Sequence, residues 1–136
     1  MAMTIRRVDY FYTTVNDRPG EAFKVLSAFA AEGVNLLAFV AMPLGPESAQ
    51  FTLFPEEPTV LQRAAQRGGL VLDGPHGAIL VQGEDRLGAL ADVHAKLADS
   101  NINVYMATCV TDGAGEFGYL IYVRPTDIAQ AMIALK

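Results

Sequence analysis

The stretch NDRPGEAFKVLSAFAAEGVN, residues 16–35, decides the fold because the chain contains it twice. A shift of 68 positions aligns it with EDRLGALADVHAKLADSNIN, residues 84–103. Six residues are identical between 17–35 and the aligned copy, and the alignment needs no gap. At average residue frequencies about one identity would arise by chance. Since the shift is half of the 136 residues, the sequence predicts a duplicated module.

The first half alternates between strand and helix periodicity. Strands rich in β-branched and aromatic residues are predicted at 8–15, 34–42, 49–54 and 70–73. Helices are predicted at 19–32 and 59–67, and the apolar stripe of the first one is Ala22, Val25, Leu26, Phe29 and Ala30. The order β-α-β-β-α-β is the split arrangement of ferredoxin-like folds, with both helices on one face of an antiparallel sheet.

The second half repeats this order without its last strand. Strands are predicted at 78–82, 103–110 and 117–123, and helices at 87–100 and from Pro125 onward. The expected stripe of helix 87–100 is Leu87, Leu90, Ala91, His94, Leu97 and Ala98. In each half a residue suited to a left-handed cap follows the first helix, namely Gly33 and Asn101.

The predicted fold is therefore α+β, with two ferredoxin-like βαββαβ modules in tandem, spanning residues 6–74 and 76–136. The second module either lacks its fourth strand or obtains it from elsewhere. Because an open sheet edge is usually covered, that edge is expected to pair with another segment or another chain.

Composition limits the classes of function. About half of the residues are apolar, which suffices for a sizeable core, and the formal net charge is -5. This charge disfavours binding to nucleic acid, because neutralising phosphates requires clustered Lys and Arg. The single cysteine, Cys109, excludes an intrachain disulfide. No stretch approaches the ~20 apolar residues of a membrane helix, so we expect a protein of the cytoplasm.

Each copy opens with a junction between a strand and a helix, where Asp17 to Gly20 correspond to Asp85 to Gly88. A helix N-terminus presents unpaired N–H groups and partial positive charge, so a carboxylate can bind there. Each aspartate could accept a hydrogen bond from an ammonium group. The glycines are poor helix formers, and their return in both first turns indicates a close approach by a backbone or a ligand.

Asn35 and Asn103 also recur, at the start of the next strand, and each offers a donor and an acceptor on one side chain. A purely structural interpretation stays open beside the ligand site. Asp17 and Pro19 are typical of helix caps. The asparagines could satisfy backbone groups at a strand entry, and the arginine of each copy could be solvated or paired at the surface.

Residues 15–36 and 82–104 resemble the ACT-domain family of amino-acid-binding regulatory modules. The signature of that family is a strand ending in an Asp-x-Pro-Gly turn, an amphipathic helix, a small residue and an Asn-containing strand. The first copy carries the signature in full, through Asp17, Pro19, Gly20, Gly33 and Asn35. The second copy has leucine in place of the proline. The βαββαβ order agrees with the fold of the family.

The resemblance implies that modules pair side by side and bind an effector amino acid at their interface, between the turn of one module and the Asn strand of its neighbour. The ligand-binding residues it implies are Asp17, Arg18, Pro19, Gly20, Asn35 and Leu36 in the first copy, and Asp85, Leu87, Gly88, Asn103 and Val104 in the second. We therefore expect a homodimeric tandem ACT-like protein that senses a small amino acid and modulates a separate enzyme or regulator.

The sequence leaves two rival functions open. A ligand-free module for oligomerisation or protein interaction would use the same fold and the open sheet edge. A small enzyme would need a nucleophile beside an oriented base. Cys109 lies mid-strand, His94 falls on the helical stripe and is expected to be packed, and His76 lies in a Gly-Pro linker. We expect no catalytic residue, no metal and no cofactor.

Overall fold

A computed structural model describes residues 3–136, which form six strands and four α-helices. The strands are β1 (Thr4–Asn16), β2 (Leu36–Pro43), β3 (Ser48–Pro55), β4 (Asp73–Glu84), β5 (Met106–Thr111) and β6 (Glu116–Tyr122). The helices are α1 (Glu21–Ala31), α2 (Pro58–Arg67), α3 (Ala89–Asp99) and α4 (Ile128–Leu135), the last preceded by a 3₁₀ turn at Pro125–Asp127. Within this part of the chain no helix has the length and apolar character needed to cross a membrane.

The contacts divide the chain into two compact units. The first unit is Asp9–His76, and the second unit joins Gly77–Lys136 with residues 3–8. Strands β1 and β4 therefore each belong to both units. β1 begins in the second unit and ends in the first, and β4 begins in the first unit and ends in the second.

The first unit has the strand order β2-β3-β1, followed by the first residues of β4. β3 pairs antiparallel with both of its neighbours. The alternating residues Phe51 and Leu53 of β3 pack with Val25 and Phe29 of α1 and with Leu61 of α2. Both helices thus cover the same face of the sheet, and the predicted ferredoxin-like βαββαβ fold is confirmed.

The second unit has the order β4-β6-β5, with the first residues of β1 on the other side of β4. Met3 and Ile5 pack against the core of this unit. The contact is close at Gly83, where an added Cβ would lie 2.8 Å from Cγ of Met3. The start of the chain thus occupies the edge for which the second half has no strand of its own.

The strand predicted at 70–73 is wrong. Residues 70–72 are irregular, and the strand begins at Asp73 and continues through the segment expected to be a linker. The Gly-Pro sequence at 74–75 is typical of a turn. It is tolerated here because this part of β4 is the outer strand of the first unit, where proline costs no ladder hydrogen bond.

The predicted apolar stripe of α3 is also largely wrong. The buried residues are Ala89, Val93 and Leu97, so only Leu97 was predicted to be inside. Leu87 is fully exposed, and His94 lies on the exposed side. The helix offers two apolar stripes at helical spacing, and the sheet buries the one with smaller side chains.

The left-handed caps of α1 and α3 are confirmed, since Gly33 has φ 80 and Asn101 has φ 55. In both copies the same pair of backbone hydrogen bonds closes the helix. Ile102 N–H donates to the Leu97 carbonyl at 2.9 Å, and the equivalent bond 68 residues earlier measures 3.0 Å. The duplication read from the sequence therefore extends to the backbone geometry.

Candidate functional site

The junction in the first unit differs from the predicted helix cap. Helix α1 begins at Glu21, and its N-cap is Gly20, with no side chain hydrogen-bonded to the helix end. Asp17 lies before this position, and its backbone N–H donates to the Glu47 carbonyl at 2.9 Å. The interpretation of Asp17 and Pro19 as capping residues is therefore wrong, and the Asp17 carboxylate is not used by the helix.

The repeated glycine has a conformational reason. Gly20 has φ 89 and Gly88 has φ 83, in the left-handed region that residues with a Cβ rarely adopt. A Cβ on either glycine would meet no described residue within 4 Å beyond its own chain neighbours. The expected close approach by another part of the backbone is therefore wrong.

A cleft of about 340 Å³ lies beside this turn of the first unit. Its charged lining consists of Asp17, Arg18 and Glu21, and its apolar wall includes Met42 and Phe51. Pro19 and Gly20 shape the turn but are not among the lining residues. The cleft thus combines both signs of charge with an apolar surface, as sites for small zwitterions require.

Arg18 and Glu21 form an ion pair at the rim of the cleft. Nε of Arg18 donates to Oε1 of Glu21 at 2.8 Å. The arginine side chain is 63% exposed, whereas that of Glu21 is only 13% exposed. A guanidinium has five N–H donors, so one bond to Glu21 leaves it able to bind a carboxylate. Sequence reasoning missed Glu21, although its spacing from Arg18 is that of neighbours on a helix surface.

Asn35 lies in a different place in the first unit. Its Nδ2 donates to Oε2 of Glu56 at 2.5 Å, and its carbonyl accepts from the Glu56 N–H at 2.8 Å. Together with Gly33 it lines a separate cavity of about 120 Å³. Leu36 opens β2 and packs partly against the core. Within one unit, therefore, Asp17 and Asn35 line different cavities.

The junction of the second unit has the same backbone and different side chains. The Asp85 N–H donates to the Gly115 carbonyl at 2.8 Å, which is the bond of Asp17 displaced by 68 residues. Ala89 stands in the position of Glu21, and Leu87 is fully exposed. The strand predicted from residue 103 begins only at Met106, so Asn103 and Val104 precede it; Asn103 is exposed, and Val104 packs partly against the core.

Comparison with solved structures identifies the fold. A protein from Bacteroides thetaiotaomicron matches with a TM-score of 0.81 and 14% identity, over 96% of this chain and 88% of that one. The ligand-free regulatory subunit of aspartate kinase from Thermus thermophilus matches with a TM-score of 0.68 and 15% identity, over 98% and 93%. The chain has an ACT-like fold.

A third match has the same architecture. A structure of aspartokinase alpha and beta subunits gives a TM-score of 0.60 and 19% identity, over 99% of this chain and 95% of that one. No protein-family model matches the sequence, and no curated protein does. The resemblance to ACT domains inferred from the repeated turn is thus confirmed at the level of the fold.

The second ACT-like unit carries a polar cluster that was not predicted. His94 is not packed as expected but lies on the exposed side of α3, where Nε2 shares a hydrogen bond of 2.5 Å with the hydroxyl of Tyr119. Tyr119 is the cross-strand partner of Cys109. Burial, and then the Asp85 carboxylate, raise the pKa of the Cys109 thiol.

This cluster lacks the features of a nucleophilic or metal site. A thiol with a raised pKa is a poor nucleophile, because the thiolate is the reactive form. The pKa of Tyr119 is also raised, first by desolvation and then by Cys109. Among residues 3–136 no group of three or more His, Cys, Asp and Glu side chains could hold a metal ion.

Proposed function

We propose that this chain is a regulatory protein that binds a small amino acid in the cleft beside Asp17 and modulates a separate partner protein. The observation that carries the proposal is the cleft itself, in which Asp17, Arg18 and Glu21 face an apolar wall. The fold adds support, since solved structures with this fold include regulatory subunits of aspartate kinase. Binding without catalysis fits the site, because no oriented nucleophile lies in it.

The charges of the cleft suit the two ends of an amino acid. The ligand ammonium group would donate to the Asp17 carboxylate, and the ligand carboxylate would accept from the Arg18 guanidinium. Both are charge-assisted hydrogen bonds, which are stronger than neutral ones. The ligand side chain would then lie against Met42 and Phe51.

A homodimer would complete this site. β2 is the outer strand of the first unit, so its free edge is open to a second copy of the chain. The side-by-side pairing of ACT modules would bring the Asn35 and Leu36 strand of one copy toward the Asp17 turn of the other. A ligand that holds the two copies together would favour one arrangement of the dimer, and this population shift would be read by the partner enzyme or regulator.

The test is a thermal-shift screen of the chain against the twenty common amino acids, each at millimolar concentration. A ligand at about a hundred times its Kd stabilises by about 2.7 kcal/mol, which is a readily measured rise in Tm. Asp17→Ala and Asn35→Ala should each abolish the rise. Asp99→Ala, at the exposed end of α3, is the control and should keep it.

Two results would count against the proposal. If no amino acid raises the Tm, the amino-acid sensor is refuted. A concentration-dependent dimer without any ligand response would then favour the ligand-free interaction module, for which the open edge of β2 is the supporting observation. If both variants respond like the parent, the site lies elsewhere.

A further inference from the structure

We propose that only the first unit binds the amino acid, one molecule per chain, and that Glu21 is the positioning residue that sets Arg18 for the ligand carboxylate. This inference rests on the proposed function and narrows it to one of the two repeated junctions. Three differences between the copies carry it, and each concerns residues that the shift of 68 positions makes equivalent.

The first difference is the direction in which the arginine is held. Arg18 pairs with Glu21, which itself lines the cleft. Its equivalent Arg86 pairs with Asp92 at 2.5 Å, further along α3, and also donates to the Leu87 carbonyl at 3.4 Å. The carboxylate that engages Arg86 thus has no counterpart in the first copy, where Lys24 stands in the position of Asp92. Arg86 thus has fewer donors left for a ligand beside Asp85 than Arg18 has for a ligand beside Asp17.

The second difference is the loss of a carboxylate. Glu21 is replaced by Ala89, which is 5% exposed and packs in the core of the second unit. The second junction therefore has no counterpart of the Glu21 carboxylate. Arg86 pairs instead with Asp92, which lies further along α3.

The third difference is that larger side chains occupy the space. Ala22 and Ala49 line the cleft of the first unit. Their equivalents are Leu90, which is only 36% exposed, and Phe117, which is 5% exposed and belongs to the core. Two alanine methyl groups are thus replaced by a leucine and a phenylalanine side chain. These larger side chains leave less space beside Asp85 than the two alanines leave beside Asp17.

The same groups define the class of ligand. Glu21 is already paired with Arg18, and Asp17 would take the ammonium group, so no carboxylate is left for a cationic side chain. An acidic side chain would lie beside two carboxylates. The remaining lining is uncharged, and apart from Asn16 it is apolar, with Met42 and Phe51 as its largest side chains. The ligand is therefore an α-amino acid with an uncharged side chain.

The experiment measures thermal shift and stoichiometry on matched variants of the two copies. The probes are the twenty common amino acids, and equilibrium dialysis with the radiolabelled amino acid that gives the largest rise in Tm counts the bound molecules. Arg18→Gln should weaken binding roughly tenfold or more, the usual loss for a charge-assisted bond, while Arg86→Gln should leave it unchanged. Ala22→Leu should block binding, and Leu90→Ala should not affect it.

The role of Glu21 has its own readout. Glu21→Leu should weaken binding about as much as Arg18→Gln, whereas Glu21→Gln, whose amide oxygen still accepts from Nε of Arg18, should restore part of the affinity. A merely structural role would lower the Tm of the ligand-free chain in both variants. Unchanged binding in Glu21→Leu would refute the positioning role.

The outcomes separate this inference from the proposed function. One molecule per chain, lost with Arg18→Gln and kept with Arg86→Gln, supports both. Two molecules per chain, or loss of binding with Arg86→Gln, overturns the single-site inference and leaves the amino-acid sensor standing. The absence of any thermal response overturns both.

Discussion

Gly20 shows how a single residue determines the shape of the site. Its φ of 89 turns the chain between Asn16, the last residue of β1, and the first turn of α1. This conformation leaves Asp17 and Arg18 at the rim of the cleft instead of at the helix end. Gly20 is therefore required for its left-handed backbone conformation and not to make room for a neighbouring group.

Gly20→Ala should destabilise the chain by about 1–2 kcal/mol, the cost of placing a Cβ in the left-handed region. No steric clash adds to this cost, because the space around the position is open. Urea unfolding of the parent and of Gly20→Ala measures the difference between their free energies of unfolding.

Gly118→Ala is the matched control, since its added Cβ also meets no atom within 4 Å but its φ is not positive. It should be neutral or slightly stabilising. Equal losses in the two variants would show that the left-handed conformation is not what Gly20 provides.

At the scale of elements, the sequence predicts α1 better than α3. Val25 and Phe29 of the predicted stripe are buried, Ala22 and Leu26 are partly buried, and Ala30 is exposed. Helix α3 has a second apolar stripe, and the larger side chains of the predicted one remain outside. Periodicity alone cannot choose between two apolar stripes, since the choice depends on which one fits the sheet beneath.

Two truncations, Leu97→Ala and Leu87→Ala, test which residues in and just before α3 are buried. Leu97 is 1% exposed, so its truncation leaves a cavity and should cost about 2–5 kcal/mol. Leu87 is fully exposed, and its truncation should change the free energy of unfolding by less than about 0.5 kcal/mol. The midpoint of urea unfolding measures both. A large loss in Leu87→Ala would contradict the orientation of the segment.

At the scale of the whole molecule, the sequence predicts the duplication and the ferredoxin-like order but only part of the candidate site. Asp17 and Arg18 line the cleft as a ligand site requires, and Asn35 lies in another cavity of the same unit. Glu21 was missed because the residue after the Gly of the turn looks like an ordinary helix residue. The walls from β2 and β3 could not be predicted either, since they depend on strand register.

Deleting residues 1–8 should destabilise the second unit more than the first. Met3 and Ile5 would no longer pack against its core, and the edge of β4 next to Gly83 would lose its neighbouring strand. Hydrogen exchange measures this as faster exchange of the β4 amides between Gly77 and Glu84. Arg6→Ala, which removes an exposed side chain from the same segment, is the control and should leave these amides protected. Unchanged exchange after the deletion would show that the segment contributes nothing to the second unit.

Because β1 and β4 each run from one unit into the other, the order of synthesis on the ribosome affects the order in which the units can fold. Residues 3–8 are made before either repeat is complete, yet the strand beside which they lie is finished only when Glu84 has been added. The first module can close once His76 has emerged, whereas the leading segment must wait for the second repeat. A gene cut between the repeats would therefore encode one half with a surplus strand and another with a missing one. Two separately folding modules would instead require residues 3–8 to be moved from the first half of the gene to the second.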